Sequence, residues 1–212
     1  MEFVRPEDIE KRSFEIIREE LGDRVLPEGT ESVIMRCIHA TADFDYAENM
    51  YFSPGAMERA GELIRAGAAI VTDTNMAKAG VNKRITEKFG CSCLCFMADR
   101  DVAETAKKRG VTRAAVSAEK AAEITGPLIY AVGNAPTALI RICELIRSGE
   151  LEPGLVIGAP VGFVNVIQSK ELLIETARIS GTECIVPRGR KGGSTVAAAI
   201  LNALLMEAEG DM

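Results

Sequence analysis

The sequence predicts an α/β protein: a single domain over residues 1–212, built as a doubly wound, mostly parallel sheet flanked by helices. Three observations carry that expectation. Short β-branched apolar runs recur along the chain, each followed by a loop with Gly, Asp or Pro and then by a helix-period pattern. Aromatics make up 5% of the chain and Trp is absent, against 19 Gly, a composition suited to tight strand-to-helix turns and not to a β-sandwich. No linker, repeat or low-complexity tract divides the sequence.

Taken in order, Pro6 suits a first helical turn, Phe14, Ile17 and Leu21 share one face, and Gly22 ends that helix. Residues 33–38 read as the first strand, followed by the loop HATADFDY. Ser53 and Pro54 then open a helix that runs to Ala66 and stops at Gly67. Residues 68–72 read as the next strand, ending in DTNMAKAG, and residues 91–97 as the one after it. A helix over 101–109 closes at Gly110, and a short one from Ser117 precedes Gly126 and Pro127.

The later half is more regular. Residues 128–132 run into GNAPTAL and a helix with Leu139, Ile142, Cys143 and Ile146 as its apolar stripe. Residues 155–157 run into GAPVGF and a helix over 169–180; after Gly181, the strand ECIVP enters RGRKGGS and an Ala-rich helix over 196–205. Crossovers of this kind are right-handed, so the strands' carboxyl ends share one edge, where open α/β sheets bind ligands. The loops on that edge are the candidate site.

Charge narrows what such a site binds. Lys and Arg total 25 against 31 Asp and Glu, so the net charge of −6 argues against general affinity for nucleic acid or anionic membrane, and anion binding must be local. The start, MEFVRPEDIE, lacks the basic and apolar segments of a secretory signal, and the longest apolar stretch falls far short of the ~20 residues that span a bilayer. A cytoplasmic address is expected. Cys37, Cys91, Cys93, Cys95, Cys143 and Cys184 lie in apolar stretches and read as reduced, buried thiols. The spacing at 91, 93 and 95 puts three thiols on one strand face instead of making a CxxC knuckle; with one His and no HExxH, no metal site is expected.

Among the loops, Arg188, Gly189, Arg190, Lys191, Gly192, Gly193 and Ser194 combine cations, glycines that allow close backbone approach, and a helix amino terminus near Thr195. Neither GxxxxGK[ST] nor GxGxxG occurs, so a carboxylate ligand fits as well as a phosphate, and a plain solvated turn is the bland alternative. The turns beginning at Gly133-Asn134 and ending at Gly162-Phe163 have the same strand-to-helix placement. His39, the only histidine, directly follows the first expected strand, which puts an imidazole on the same edge as a candidate general acid; a hydrogen-bonded structural residue is the alternative. Asp73, between Thr72 and Thr74, is a similar candidate with an N-cap as its alternative, and Lys78, Lys83 and Arg84 supply positive charge further along.

Five segments, RCIHATADFDY, VTDTNMAKAGVNKR, GNAPTAL, GAPVGFVNVIQSKE and RGRKGGSTVAAAILNAL, together with PEDIEKRSFEIIREE from Pro6, closely resemble the precorrin-8X methylmutase family in order and spacing across nearly the whole chain. The resemblance implies an isomerase of corrin biosynthesis that moves a methyl group from C-11 to C-12 of precorrin-8X or cobalt-precorrin-8, giving hydrogenobyrinate or cobyrinate. It implies His39 as the acid. Its substrate contacts would come from Ser13, Arg36, Thr72, Asp73, Lys83, Arg84, Gly133, Asn134, Gly162, Arg188, Arg190, Lys191, Gly192, Gly193 and Ser194. It also implies a homodimer and no cofactor, cobalt belonging to the substrate where present. Two alternatives stand beside it: a non-catalytic corrinoid carrier, and a nucleotide-dependent Rossmann-like enzyme, which the missing GxGxxG disfavours.

Overall fold

In the computed structural model, which describes residues 3–210, six strands form one sheet: β1 (Met50–Phe52), β2 (Ala69–Thr72), β3 (Ser92–Leu94), β4 (Leu128–Val132), β5 (Leu155–Gly158) and β6 (Glu183–Pro187). Their order is β1-β6-β5-β4-β2-β3, and every pairing is parallel except that of β1 with β6. The chain goes from β2 outward to β3 and then returns to β4 on the other side of β2. The winding therefore reverses between β2 and β4, the switch point at which doubly wound sheets open a crevice.

All residues of β4 and β5 are buried, as parallel strands covered on both faces must be. Alternate side chains feed two cores. Ile129, Ala131, Ile157 and Ile185 pack with α1 (Ile9–Leu21), α2 (Glu31–Thr41), α4 (Ala56–Arg65) and α11 (Ser194–Glu209). Tyr130, Val132, Val156 and Val186 pack with α8 (Arg113–Ala121), α9 (Pro136–Ser148) and α10 (Val166–Ser180). Helix α11 is buried around most of its girth because it lies between the sheet and α2, which explains its run of Ala, Ile and Leu without a polar face. Burying each such Leu or Ile contributes about 1.5–3 kcal/mol.

Several boundaries fall where the sequence places them. Gly22 ends α1 and Gly110 ends α7 (Arg100–Arg109), both at positive φ, while β4, β6 and the buried stripe of α9 match their segments. The main correction concerns residues 33–38, which are helical and not a strand. Among their buried members, Val33, Ile34, Cys37 and Ile38 recur at i, i+1, i+4 and i+5, with Met35 beside them, on a helix that packs on α11. A short apolar run suits a buried strand or a buried helix equally, and here the helix prevails over 11 residues.

The first strand is instead the short antiparallel β1. Ser53 does not cap α4, whose N-cap is Gly55; its hydroxyl donates to Glu183 and accepts from Cys184 N, tying β1 to β6. The strand expected over 91–97 is only Ser92–Leu94. Three short helices were not anticipated: α3 (Tyr46–Asn49), α5 (Asn75–Gly80) and α6 (Lys83–Lys88), the last two set by Thr74 and Asn82, whose side chains accept from Ala77 N and Ile85 N. Helices α8 and α10 begin earlier than expected, at Arg113 and Val166, and α11 extends beyond 196–205 at both ends. Among the described residues no helix is long and apolar enough to cross a membrane.

Candidate active site

At the end of β2 the chain places Asp73, 1% exposed, beneath the start of α9. Its Oδ1 accepts from Gly133 N at 2.7 Å, and its Oδ2 accepts from Asn134 N at 2.9 Å and Ala135 N at 2.7 Å. Burial pushes the Asp73 pKa up, against three amides that favour the charged carboxylate. Thr72, also buried, donates to Thr74 O and Leu94 O. The structure thus gathers Thr72, Asp73, Gly133 and Asn134 at the switch point and spends them largely on one another; the Asn134 side chain stays exposed. Gly133 is needed there, because a Cβ would sit 2.7 Å from Ser194 Cα.

The basic loop runs alongside. Gly193 N donates to Ala159 O, Arg190 O accepts from Gly162 N, and a Cβ on Gly192 would lie 2.3 Å from Ala159 O, so the two glycine-bearing turns touch backbone to backbone. Ser194 Oγ lies 2.7 Å from Thr74 Oγ1, which joins the start of α11 to that of α5. The Arg188 guanidinium is 3.3 Å from Glu171 and 5.4 Å from the Tyr51 ring centre, and that of Arg190 is 5.9 Å from the exposed Phe163 ring. Lys191 Nζ stands 2.6 Å from Asp43 Oδ2 and 2.5 Å from Asp45 Oδ2. Hydrogen bonding from Lys191 holds the Asp43 carboxyl below its ordinary range, and the two aspartates push the Lys191 ammonium up.

His39 does not follow a strand; it occupies the last turn of α2, with an exposed side chain. Its ring centre is 5.2 Å from that of Phe14 on α1. Arg36, one turn earlier, lies over the same Phe14 at 5.3 Å and pairs with Glu10 at 3.0 Å, leaving its buried Nε without a partner. His39 and Arg36 line a cleft of about 330 Å³ whose other walls include Met76 of α5 and Thr195 on the first turn of α11. The imidazole therefore opens onto the same cleft as the helix that the basic loop feeds. Ser13 neighbours Phe14 and donates to Ile9 O at 2.8 Å.

Two expected residues lie elsewhere. Lys83 and Arg84 are on α6, and Arg84 forks onto Glu209 at 2.9 and 2.7 Å, at the far end of α11. Glu209 is roughly 22 Å along that helix from Ser194. One residue was missed: Lys170, fully buried, whose Nζ donates to Gly189 O at 3.0 Å and Lys191 O at 2.7 Å. The signal was present, since residues 166, 169/170, 173/174 and 177 trace the buried face of α10.

The switch-point amides are thus occupied by the protein's own carboxylate, with an imidazole and three cations on the rim of an α/β fold. The precorrin-8X methylmutase family model matches residues 8–207, and the chain belongs to that family of isomerases. It is 43% identical over 206 residues to the cobalt-precorrin-8 methylmutase of Priestia megaterium, covering 97% of this chain and 90% of that one. The precorrin-8X methylmutase of Pseudomonas aeruginosa is 37% identical over 201 residues, 95% of each chain. The crystal structure of the precorrin-8X methylmutase from Thermus thermophilus superposes with a TM-score of 0.86 at 38% identity, covering 97% of this chain and 100% of that one.

Proposed function

We propose that this isomerase moves a methyl group from C-11 to C-12 of precorrin-8X or cobalt-precorrin-8, with His39 as general acid. The observation that carries the reading is the position of the chain's one imidazole, exposed on a cleft that it shares with the first turn of α11. Around that turn the rim is basic at Arg188, Arg190 and Lys191 and apolar at the exposed Val161, Phe163 and Val164. A polycarboxylated macrocycle asks for that mixture: apolar surface under the ring and dispersed donors at its periphery. A cleft of about 330 Å³ takes in only the reacting part of such a ring.

His39 then donates a proton or a strong hydrogen bond to the conjugated system, drawing electron density from it as the methyl migrates. The bond from the methyl carbon to C-11 breaks while the bond to C-12 forms, and the proton is returned, so composition does not change. Holding the ring still contributes by keeping the migrating carbon over its acceptor. Arg188, Arg190 and Lys191 bind peripheral carboxylates. In the same reading the enzyme works in the cytoplasm as a homodimer and carries no cofactor of its own; any cobalt arrives inside the substrate.

The test is incubation with precorrin-8X or its cobalt form, followed by absorption spectroscopy and carbon NMR of the migrating methyl group, since mass is unchanged. The expected result is conversion by the wild type, with turnover by His39→Ala reduced on the order of 100-fold or more while corrinoid binding is kept. Equal turnover by His39→Ala rejects the acid.

A further inference from the structure

Lys170 is a buried cation that the proposed reaction does not touch. Its ammonium has no carboxylate partner among the described residues and is held by two backbone carbonyls, Gly189 O and Lys191 O. The carbonyl between them, Arg190 O, accepts from Gly162 N at 3.2 Å. Three successive carbonyls are thus engaged by the supporting structure. The peptides are trans, and in a trans peptide the N–H points opposite to the C=O. The N–H groups of Arg190 and Gly192 therefore face away from Lys170 and that of Lys191 away from Gly162, and none of them has an acceptor among the described residues.

These amides, beside the Arg190 guanidinium, are donors left available to a carboxylate. The charge of Lys170 lies behind them, where burial weakens its screening by water. Lys191 carries the same support toward the acid. Its carbonyl rests on Lys170, and its ammonium grips Asp43 and Asp45 in the turn that leaves α2 just after His39.

We propose that Lys170 is a positioning residue for the methyl migration, holding the carboxylate-receiving side of loop 188–193 outward and, through Lys191, tying that loop to the turn after His39. The proposal rests on the corrinoid reading above. It concerns a residue that contacts neither ring nor cleft, so its signature differs from that of a side chain kept only for folding. Loss of a folding residue lowers the fraction of active molecules, which reduces apparent kcat and leaves KM alone.

The experiment is steady-state turnover of precorrin-8X or cobalt-precorrin-8 by full-length Lys170→Met and Lys170→Arg beside the wild type. Lys170→Met is expected to raise KM about tenfold or more, and Lys170→Arg, which keeps the charge and two donors, to recover most of that loss. A Lys170→Met enzyme with KM within about twofold of the wild type overturns the proposal. If Lys170→Met does not fold, Lys170→Gln, which keeps amide donors without the charge, takes its place under the same criterion. Failure of both to fold makes the residue architectural and overturns the proposal as well. A wild type that converts neither substrate sinks the corrinoid reading; wild-type turnover with unchanged KM in the variants sinks only the role of Lys170.

Discussion

Of the helices that begin at the carboxyl edge of the sheet, α9 after β4 and α11 after β6 have amino termini that the protein treats in opposite ways. At α9 the buried Asp73 carboxylate accepts from the amides of Gly133, Asn134 and Ala135. Before α11 the support comes from behind, where Lys170 engages carbonyls and leaves the amides of Arg190, Lys191 and Gly192 unused. A carboxylate placed on the donors closes an anion site; a cation placed on the acceptors keeps one open. The difference teaches why, in the proposed reading, a fold whose switch point usually takes a phosphate would have its ligand donors displaced toward the sheet's other half.

The comparison breaks most visibly at Asp73. Asp73→Asn keeps the shape but replaces one acceptor oxygen with an NH₂ that faces donors. With three buried or partly buried amides competing for one remaining oxygen, the expected loss is about 3 kcal/mol of unfolding free energy, read by chemical denaturation. An unchanged denaturation midpoint means that the α9 terminus does not depend on its carboxylate, and the contrast between the two helix starts disappears.

Much of this contrast lies beyond what a sequence pattern records. Strands β4 and β6 and the stripe of α9 were legible because Gly and Pro punctuate them and their periods are clean. The apolar run of α2 was not, because six residues, five of them apolar, are too few to separate a buried helix from a buried strand; His39 was therefore placed at a strand end and stands on a helix turn, although still at the rim that α11 shares. Pairings between distant residues leave no local trace. Asp73 meets amides 60 to 62 positions away, and Arg84 meets Glu209 at a separation of 125, so a candidate substrate contact is taken up in an ion pair far from the cleft. Lys170 is the reverse case, a charged residue on the buried face of a periodic helix, where the spacing of its apolar neighbours already marks the position as interior.

A smaller effect sharpens the other side of the comparison. Burial without a nearby anion lowers the Lys170 pKa to about 8, against 10.5 for an ordinary lysine. Between those values the unfolded chain holds a proton that the folded protein has released, so this group makes stability rise with pH there. From pH 7.5 to 9 the gain is about 1 kcal/mol. The buried thiols Cys37, Cys143 and Cys184, pushed up to about 12, 11 and 12, act in the opposite direction above pH 9, because there only the unfolded chain ionises them. Subtracting the denaturation curves of Lys170→Met from those of the wild type cancels the thiols. A flat difference over this range means that the ammonium is not held in the interior at a cost.

The smallest expected effect on the fold is at Lys191. Its ammonium is half exposed, and its contacts with Asp43 and Asp45 lie at the surface, where water and salt screen them, so Lys191→Met should leave the thermal midpoint within measurement error. Function should respond differently. The variant loses one cation at the rim and frees two carboxylates four and six residues beyond His39, so a polyacidic ligand meets less attraction and more repulsion at once. Corrinoid affinity is expected to fall several-fold at low ionic strength, and the gap from the wild type to narrow as salt is raised, since the lost interaction is electrostatic and solvent-exposed. A gap that persists unchanged in high salt would mean that Lys191 acts through the shape of the loop and not through its charge, and the loop would then resemble the closed terminus at α9 more than the open one described for α11.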